Sequence, residues 1–151
     1  MNLENGSKDM EPMNAIVTMV DGLQLVGSSD SGHAVVMDTS TKGGGHASGA
    51  SPMELVLLAA GGCSAMDVIS ILKKKRLDLR GLEIKLSGQR AETEPKVFTR
   101  VVMHYVFRGR GLTEDPCRKS IELSHEKYCS VLGMVNKTAT VEYDIEIINE
   151  E

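Results

Sequence analysis

The sequence predicts an α+β fold in which antiparallel sheet and two long helices occupy separate stretches of the chain. Three observations carry that prediction. Patterned segments come in the order strands, helix, strands, helix, strand, rather than as a regular alternation of single strands and helices. Near the end, Val141, Tyr143, Ile145 and Ile147 alternate with Glu142, Asp144 and Glu146, the period-two signature of a strand with one covered face. Between these, Ser51-Pro52-Met53-Glu54 writes a helix start: Ser51 suits the N-cap, Pro52 the first helical position, and Glu54 closes a capping box.

Residues 1–12 are polar and read as a flexible leader to a single domain spanning 1–151. Residues 14–20 and 23–27 flank Asp21-Gly22, a hairpin signal, and residues 33–38 form a third short strand. The stretch 39–50, with Gly43-Gly44-Gly45 at its centre, is too glycine-rich for regular structure and reads as a mobile loop. The first helix runs from Pro52 to about Lys75. Its apolar residues spread beyond one stripe, which predicts burial on most sides. Within it, Ala59-Ala60-Gly61-Gly62 predicts close approach of another backbone, from a second helix or a dimer partner. The run Lys73-Lys74-Lys75-Arg76 closes the helix where cations complement the carbonyl end of its dipole. Strands come next over 82–90, 97–107 and 138–148, with Glu94-Pro95 turning between the first two. The second helix occupies 114 to about 129 and opens on Glu114-Asp115-Pro116, with Cys117, Ile121, Ser124 and Tyr128 along one face.

Composition excludes several function classes. The 151 residues carry a net charge of −4 and only 3% aromatics, so neither nucleic acid nor an anionic membrane is an expected partner. No run approaches 18 consecutive apolar residues, which predicts a soluble, cytoplasmic protein. The cysteines, Cys63, Cys117 and Cys129, are odd in number, which argues for a transient rather than a structural disulfide.

Cys63 and Cys129 are the residues that point to chemistry, because one reactive cysteine and one able to resolve it are the minimum for thiol redox catalysis. Cys63 lies about three turns into the first helix, beyond reach of the helix N-terminus, so its activation calls for a group from elsewhere. Cys117, in the first turn after Pro116, has a packing role.

Two segments carry a resemblance to a known family: Ser51-Pro52-Met53-Glu54-Leu55-Val56-Leu57-Leu58-Ala59-Ala60-Gly61-Gly62-Cys63 and Glu126-Lys127-Tyr128-Cys129-Ser130-Val131-Leu132. The chain resembles the OsmC/Ohr group of osmotically inducible and organic hydroperoxide resistance proteins, and within it the branch with a glycine-rich loop before the helix. In that family a proline opens the central helix eleven residues before the peroxidatic cysteine, as Pro52 precedes Cys63, and a second cysteine closes the second helix, as Cys129 does. The resemblance implies an intertwined homodimer that reduces organic hydroperoxides. Cys63 becomes a sulfenic acid, Cys129 converts it to a disulfide, and an external dithiol reduces the disulfide. It implies an apolar pocket, lined by Leu and Met, and neither metal nor cofactor. The chain departs from the family at two places: Met53 stands where better-known branches have glutamate, and no arginine precedes Arg76. Lys42, His46 and Glu54 are therefore the candidates to activate Cys63 or bind beside it.

Two other readings compete. His125 and Cys129, one helical turn apart, would present two ligands to zinc, with Cys63 and His46 completing a tetrahedron. Alternatively the chain is a non-catalytic module whose apolar pocket binds a hydrophobic small molecule. His104, mid-strand, and His33 read as satisfied sheet residues, and Arg108 and Arg110 as a solvated strand end.

Overall fold

The computed structural model describes residues 10–151, so the first nine residues of the expected leader lie outside the described residues. The backbone divides into two compact units, one ending at Pro52 and one running from Met53 to Glu151.

In the first unit β1 (Ala15–Asp21), β2 (Gln24–Ser29) and β3 (Ala34–Met37) form an antiparallel sheet in that order. Gly22, at φ +59°, makes the expected turn, because only glycine enters the left-handed region without a Cβ penalty. Every residue of β1 is exposed, with Ile16 and Met19 at 68% and 70%. The glycine-rich stretch departs from the loop expected there. It contains a one-turn 3₁₀ helix, Thr41–Gly43, and closes around the buried Asp38. The Asp38 carboxylate accepts the backbone N–H groups of Thr39, His46 and Ser48 and the Ser48 hydroxyl. These donors hold its pKa down to about 2, the Ser48 hydroxyl most of all.

The chain enters the second unit through α1 (Pro52–Lys74), which starts at its proline and ends inside the lysine run. Ala60, Gly61, Ser64, Val68 and Leu72 are buried at spacings of one helical turn. A Cβ on Gly61 would stand 2.8 Å from Leu86 Cδ1. Within the single chain the small residue at Gly61 admits a strand side chain rather than a second helix, and Gly62 faces open space. Within the single chain α1 is not buried on most sides. In its most apolar window only 28% of α1 is buried, and Leu58 and Met66 are 60% and 73% exposed. By length and composition α1 would suffice to cross a membrane, although Ser64 and Asp67 within it are tied into a hydrogen-bond network with side chains from other elements.

The second sheet runs in the order β4 (Asp78–Arg90), β5 (Phe98–Arg110), β6 (Thr140–Asn149). Here β4 and β5 pair antiparallel, but β6 lies parallel to β5, which corrects the expectation of purely antiparallel sheet. The reason is the helical connection between them, which carries the chain back along the sheet before it re-enters. Period-two patterning sets the register. Val101, Met103, Tyr105 and Phe107 stand opposite Val141, Tyr143, Ile145 and Ile147, and together form one apolar face. The other face is wet, and there His104 Nδ1 and Nε2 reach Asp144 (2.9 Å) and Glu146 (3.0 Å).

The second helix is not continuous. It divides into α2 (Glu114–Leu123), a wide π turn over Ser124–Tyr128, and α3 (Ser130–Val135). The π turn is closed by the Cys129 N–H, which donates to the Ser124 carbonyl five residues back (2.8 Å). One extra residue in that turn shifts the side chains beyond it around the helix axis. Ser124 is buried and Tyr128, expected on the same face, is 51% exposed.

Candidate active site

Cys63 and Cys129 come together, joined by Asp67, a residue that the sequence reading passed over. The Cys63 and Cys129 sulfurs and an Asp67 carboxylate oxygen all lie within 4.8 Å of one another. Asp67 comes four residues after Cys63, so one turn of α1 stacks the carboxylate on the thiol. A charged residue inside so apolar a helix was the available signal. Cys63 and Asp67 are half-buried, and Cys129 is 5% exposed.

Cys129 reaches the site because the helix breaks at it. Its backbone is extended (φ −73°, ψ 103°), it caps α3, and its sulfur accepts the Leu132 N–H at 3.4 Å. Burial pushes the Cys129 thiol up to about 11; the Leu132 N–H opposes that shift, while Cys63 and Asp67 add to it. Cys117 lies in the core, where burial alone raises its pKa, in keeping with a packing role.

Behind the carboxylate runs a chain of hydroxyls. Ser124 Oγ lies 2.9 Å from Asp67 Oδ2 and 2.9 Å from Ser64 Oγ; Ser64 Oγ lies 2.6 Å from Tyr105 OH; and Tyr105 OH lies 2.9 Å from His125 Nε2. The Ser124 hydroxyl faces two acceptors, Asp67 Oδ2 and Ser64 Oγ, and gives its one proton to one of them at a time. Burial lowers the His125 pKa, which favours the neutral ring. Burial likewise holds the Tyr105 pKa well above its ordinary value.

His125 is thus a partner of Tyr105 and stands outside the cluster of Cys63, Asp67 and Cys129, against its expected place in a zinc tetrahedron. His46, the other histidine of that set, pairs through Nε2 with Asp21 (3.1 Å) in the first unit. Lys42 is exposed in the 3₁₀ turn, and Glu54 is exposed in the first turn of α1, where a carboxylate complements the helix dipole. A cavity of about 360 Å³ opens beside Asp67, lined by Ile71, Leu123 and Tyr128 with Lys74 and Lys75. Leucine is present in that lining, and lysines stand where methionine was expected.

Residues 45–144 match the model of the OsmC-like protein family. The chain belongs to the OsmC family. It is 43% identical over 136 residues to Protein YhfA of Escherichia coli strain K12, a match covering 90% of this chain and 98% of that protein. Among solved structures, a hypothetical protein from Aquifex aeolicus VF5 superposes with a TM-score of 0.82 at 32% identity, over 94% of this chain and 100% of that one. An organic hydroperoxide resistance protein OsmC from Legionella pneumophila superposes with a TM-score of 0.71 over 92% of this chain and 99% of that one. At 15% identity the last likeness is one of fold. The OsmC fold thus holds from strand order to the helix that carries Cys63, as the resemblance implied.

Proposed function

We propose that this OsmC-family chain is a thiol peroxidase for organic hydroperoxides. The observation that carries the reading is the convergence of the Cys63 and Cys129 sulfurs within 4.8 Å. Cys63 sulfur attacks the terminal peroxide oxygen, the O–O bond breaks, and Cys63–SH plus ROOH become Cys63–SOH plus ROH. Asp67 takes the Cys63 proton and returns it to the departing alkoxide. Cys129 then attacks the sulfenic sulfur, forming Cys63–S–S–Cys129 and water, and an external dithiol reduces the disulfide. The half-exposed Cys63 as attacking thiol and the buried Cys129 as resolving thiol fit their environments.

The working form in this reading is a cytoplasmic homodimer. Leu58, Met66 and Ile69 project from α1 at 60%, 73% and 44% exposure, with Gly62 between the first two. Exposed apolar faces of this extent call for a cover, and β1 presents another.

The test is thiol titration of the reduced protein before and after one equivalent of an alkyl hydroperoxide. Concerted loss of two thiols is expected. No loss would reject the peroxidase and favour a module that binds a hydrophobic molecule, for which the cavity beside Asp67 offers room.

A further inference from the structure

We infer that Cys63, Cys129 and Asp67 of the reduced protein form a binding site for a single soft divalent cation of the zinc class. The inference goes beyond the peroxidase reading and does not depend on it. Three groups that bear negative charge when deprotonated converge within 4.8 Å. Among the described residues their hydrogen-bond donors are few: the Leu132 N–H reaches Cys129 sulfur at 3.4 Å, the Ser124 hydroxyl lies 2.9 Å from Asp67, and the two thiols hydrogen-bond each other. A site that gathers acceptors so closely is completed either by protons or by a cation.

The donor set selects among cations. Two thiolates and one carboxylate suit zinc far better than magnesium or calcium, which take oxygen alone. Around a tetrahedral zinc ion, with Zn–S of ~2.3 Å and Zn–O of ~2.0–2.2 Å, neighbouring donors stand about 3.5–3.8 Å apart. The three donors therefore need to draw in by roughly 1 Å, within reach of side-chain rotation at a half-buried site. Three protein ligands leave the fourth position to water. The surroundings already hold the ligands in place. The Leu132 N–H orients the Cys129 sulfur, and Ser124, backed by Ser64 and Tyr105, orients the carboxylate. His125 and His46 are engaged with Tyr105 and Asp21 and are not needed.

Such a site is open only while the thiols are reduced. Binding displaces the two thiol protons as the ion takes both sulfurs as thiolates. Forming the Cys63–Cys129 disulfide removes both sulfur ligands at once. With diamide as oxidant, two thiolates and two protons give one disulfide and one hydrazine, and the ion is released.

The experiment uses the full chain without a histidine tag, reduced and kept anaerobic, titrated with zinc against a chromophoric chelator and separately with cadmium. One ion per chain is expected, with a cadmium–thiolate absorption band in the ultraviolet. Cys63→Ser and Cys129→Ser each should weaken zinc binding by at least ~10²-fold, and Asp67→Asn and Ser124→Ala by ~10–100-fold. Cys117→Ser should leave it unchanged, and diamide should release the ion. Circular dichroism confirms that each variant is folded. Zinc affinity indifferent to Cys63→Ser or Cys129→Ser, absence of the thiolate band, or retention of zinc after disulfide formation would each overturn the inference. Because diamide closes the disulfide without peroxide, a protein inert to hydroperoxides still gives a decisive answer.

Discussion

The sulfurs of Cys63 and Cys129 lie within 4.8 Å of each other, although one cysteine sits in the middle of α1 and the other at the break between α2 and α3. The two positions are not equivalent. Cys63 is set within a regular helix, whereas Cys129 has extended backbone between the π turn that its N–H closes and α3, which it caps. A disulfide brings its sulfurs to ~2.05 Å, so closure requires movement.

That asymmetry fixes the outcome of substituting each cysteine. Cys63→Ser should abolish hydroperoxide-dependent thiol loss altogether. Cys129→Ser should allow one turnover and leave a sulfenic acid, detected as a dimedone adduct on Cys63 by mass spectrometry. Equal thiol consumption by both variants would reject the assigned order of attack.

Asp67→Asn keeps the shape of the site while removing its base. General acid–base assistance is worth roughly 10²–10⁴-fold, so the rate of Cys63 oxidation by an alkyl hydroperoxide, measured by stopped flow with chelator present, should fall by at least ~10²-fold. A rate within a few-fold of wild type would remove Asp67 from the mechanism.

Tyr105 is fully buried and its hydroxyl links Ser64 to His125. Tyr105→Phe strands the His125 Nε2 and leaves Ser64 with one partner fewer, a cost of about 1–3 kcal/mol. The urea midpoint should drop while its slope stays constant. An unchanged midpoint would mean that water replaces the hydroxyl.

Much of this was legible in the sequence, for local reasons. The β6 alternation of Val141, Tyr143, Ile145 and Ile147 gave the strand and its covered face, because period two is a property of the strand itself. Pro52 gave the start of α1 to the residue. What periodicity does not carry is direction and company. Nothing in the alternation of β6 says that it runs parallel to β5, and nothing in Gly61 says that Leu86 fills the space above it. The π turn was hidden because Ser124-His125-Glu126-Lys127-Tyr128 has the composition of an ordinary helix, yet one extra residue there decides which side chains turn inward. Asp67 was visible as an acid midway along an apolar helix, but its meaning depended on Cys129 arriving from elsewhere.

Leu58, Gly62, Met66 and Ile69 succeed one another at spacings of four, four and three residues and so share a stripe of α1 that stands open in the single chain. If a second copy covers that stripe, a charge in its middle is buried on association and opposes it strongly. Wild type should therefore run as a dimer by light scattering and Met66→Glu as a folded monomer. A wild type that is monomeric at tens of micromolar would exclude the dimer.

His104 offers a test on the opposite face of the second sheet. Its two ring nitrogens meet two carboxylates, Asp144 and Glu146, and both nitrogens can donate only when the ring is protonated. The hydrogen bond to Glu146, then that to Asp144, raises the His104 pKa above its ordinary value. A group whose pKa is raised on folding contributes stability that is fully present below its unfolded pKa, about 6.5, and is lost as pH rises through the folded value. Thermal melts should accordingly show a decline as pH rises above about 6.5 that His104→Gln flattens, since glutamine keeps a donor but cannot titrate. The same decline in the variant would assign it to another group.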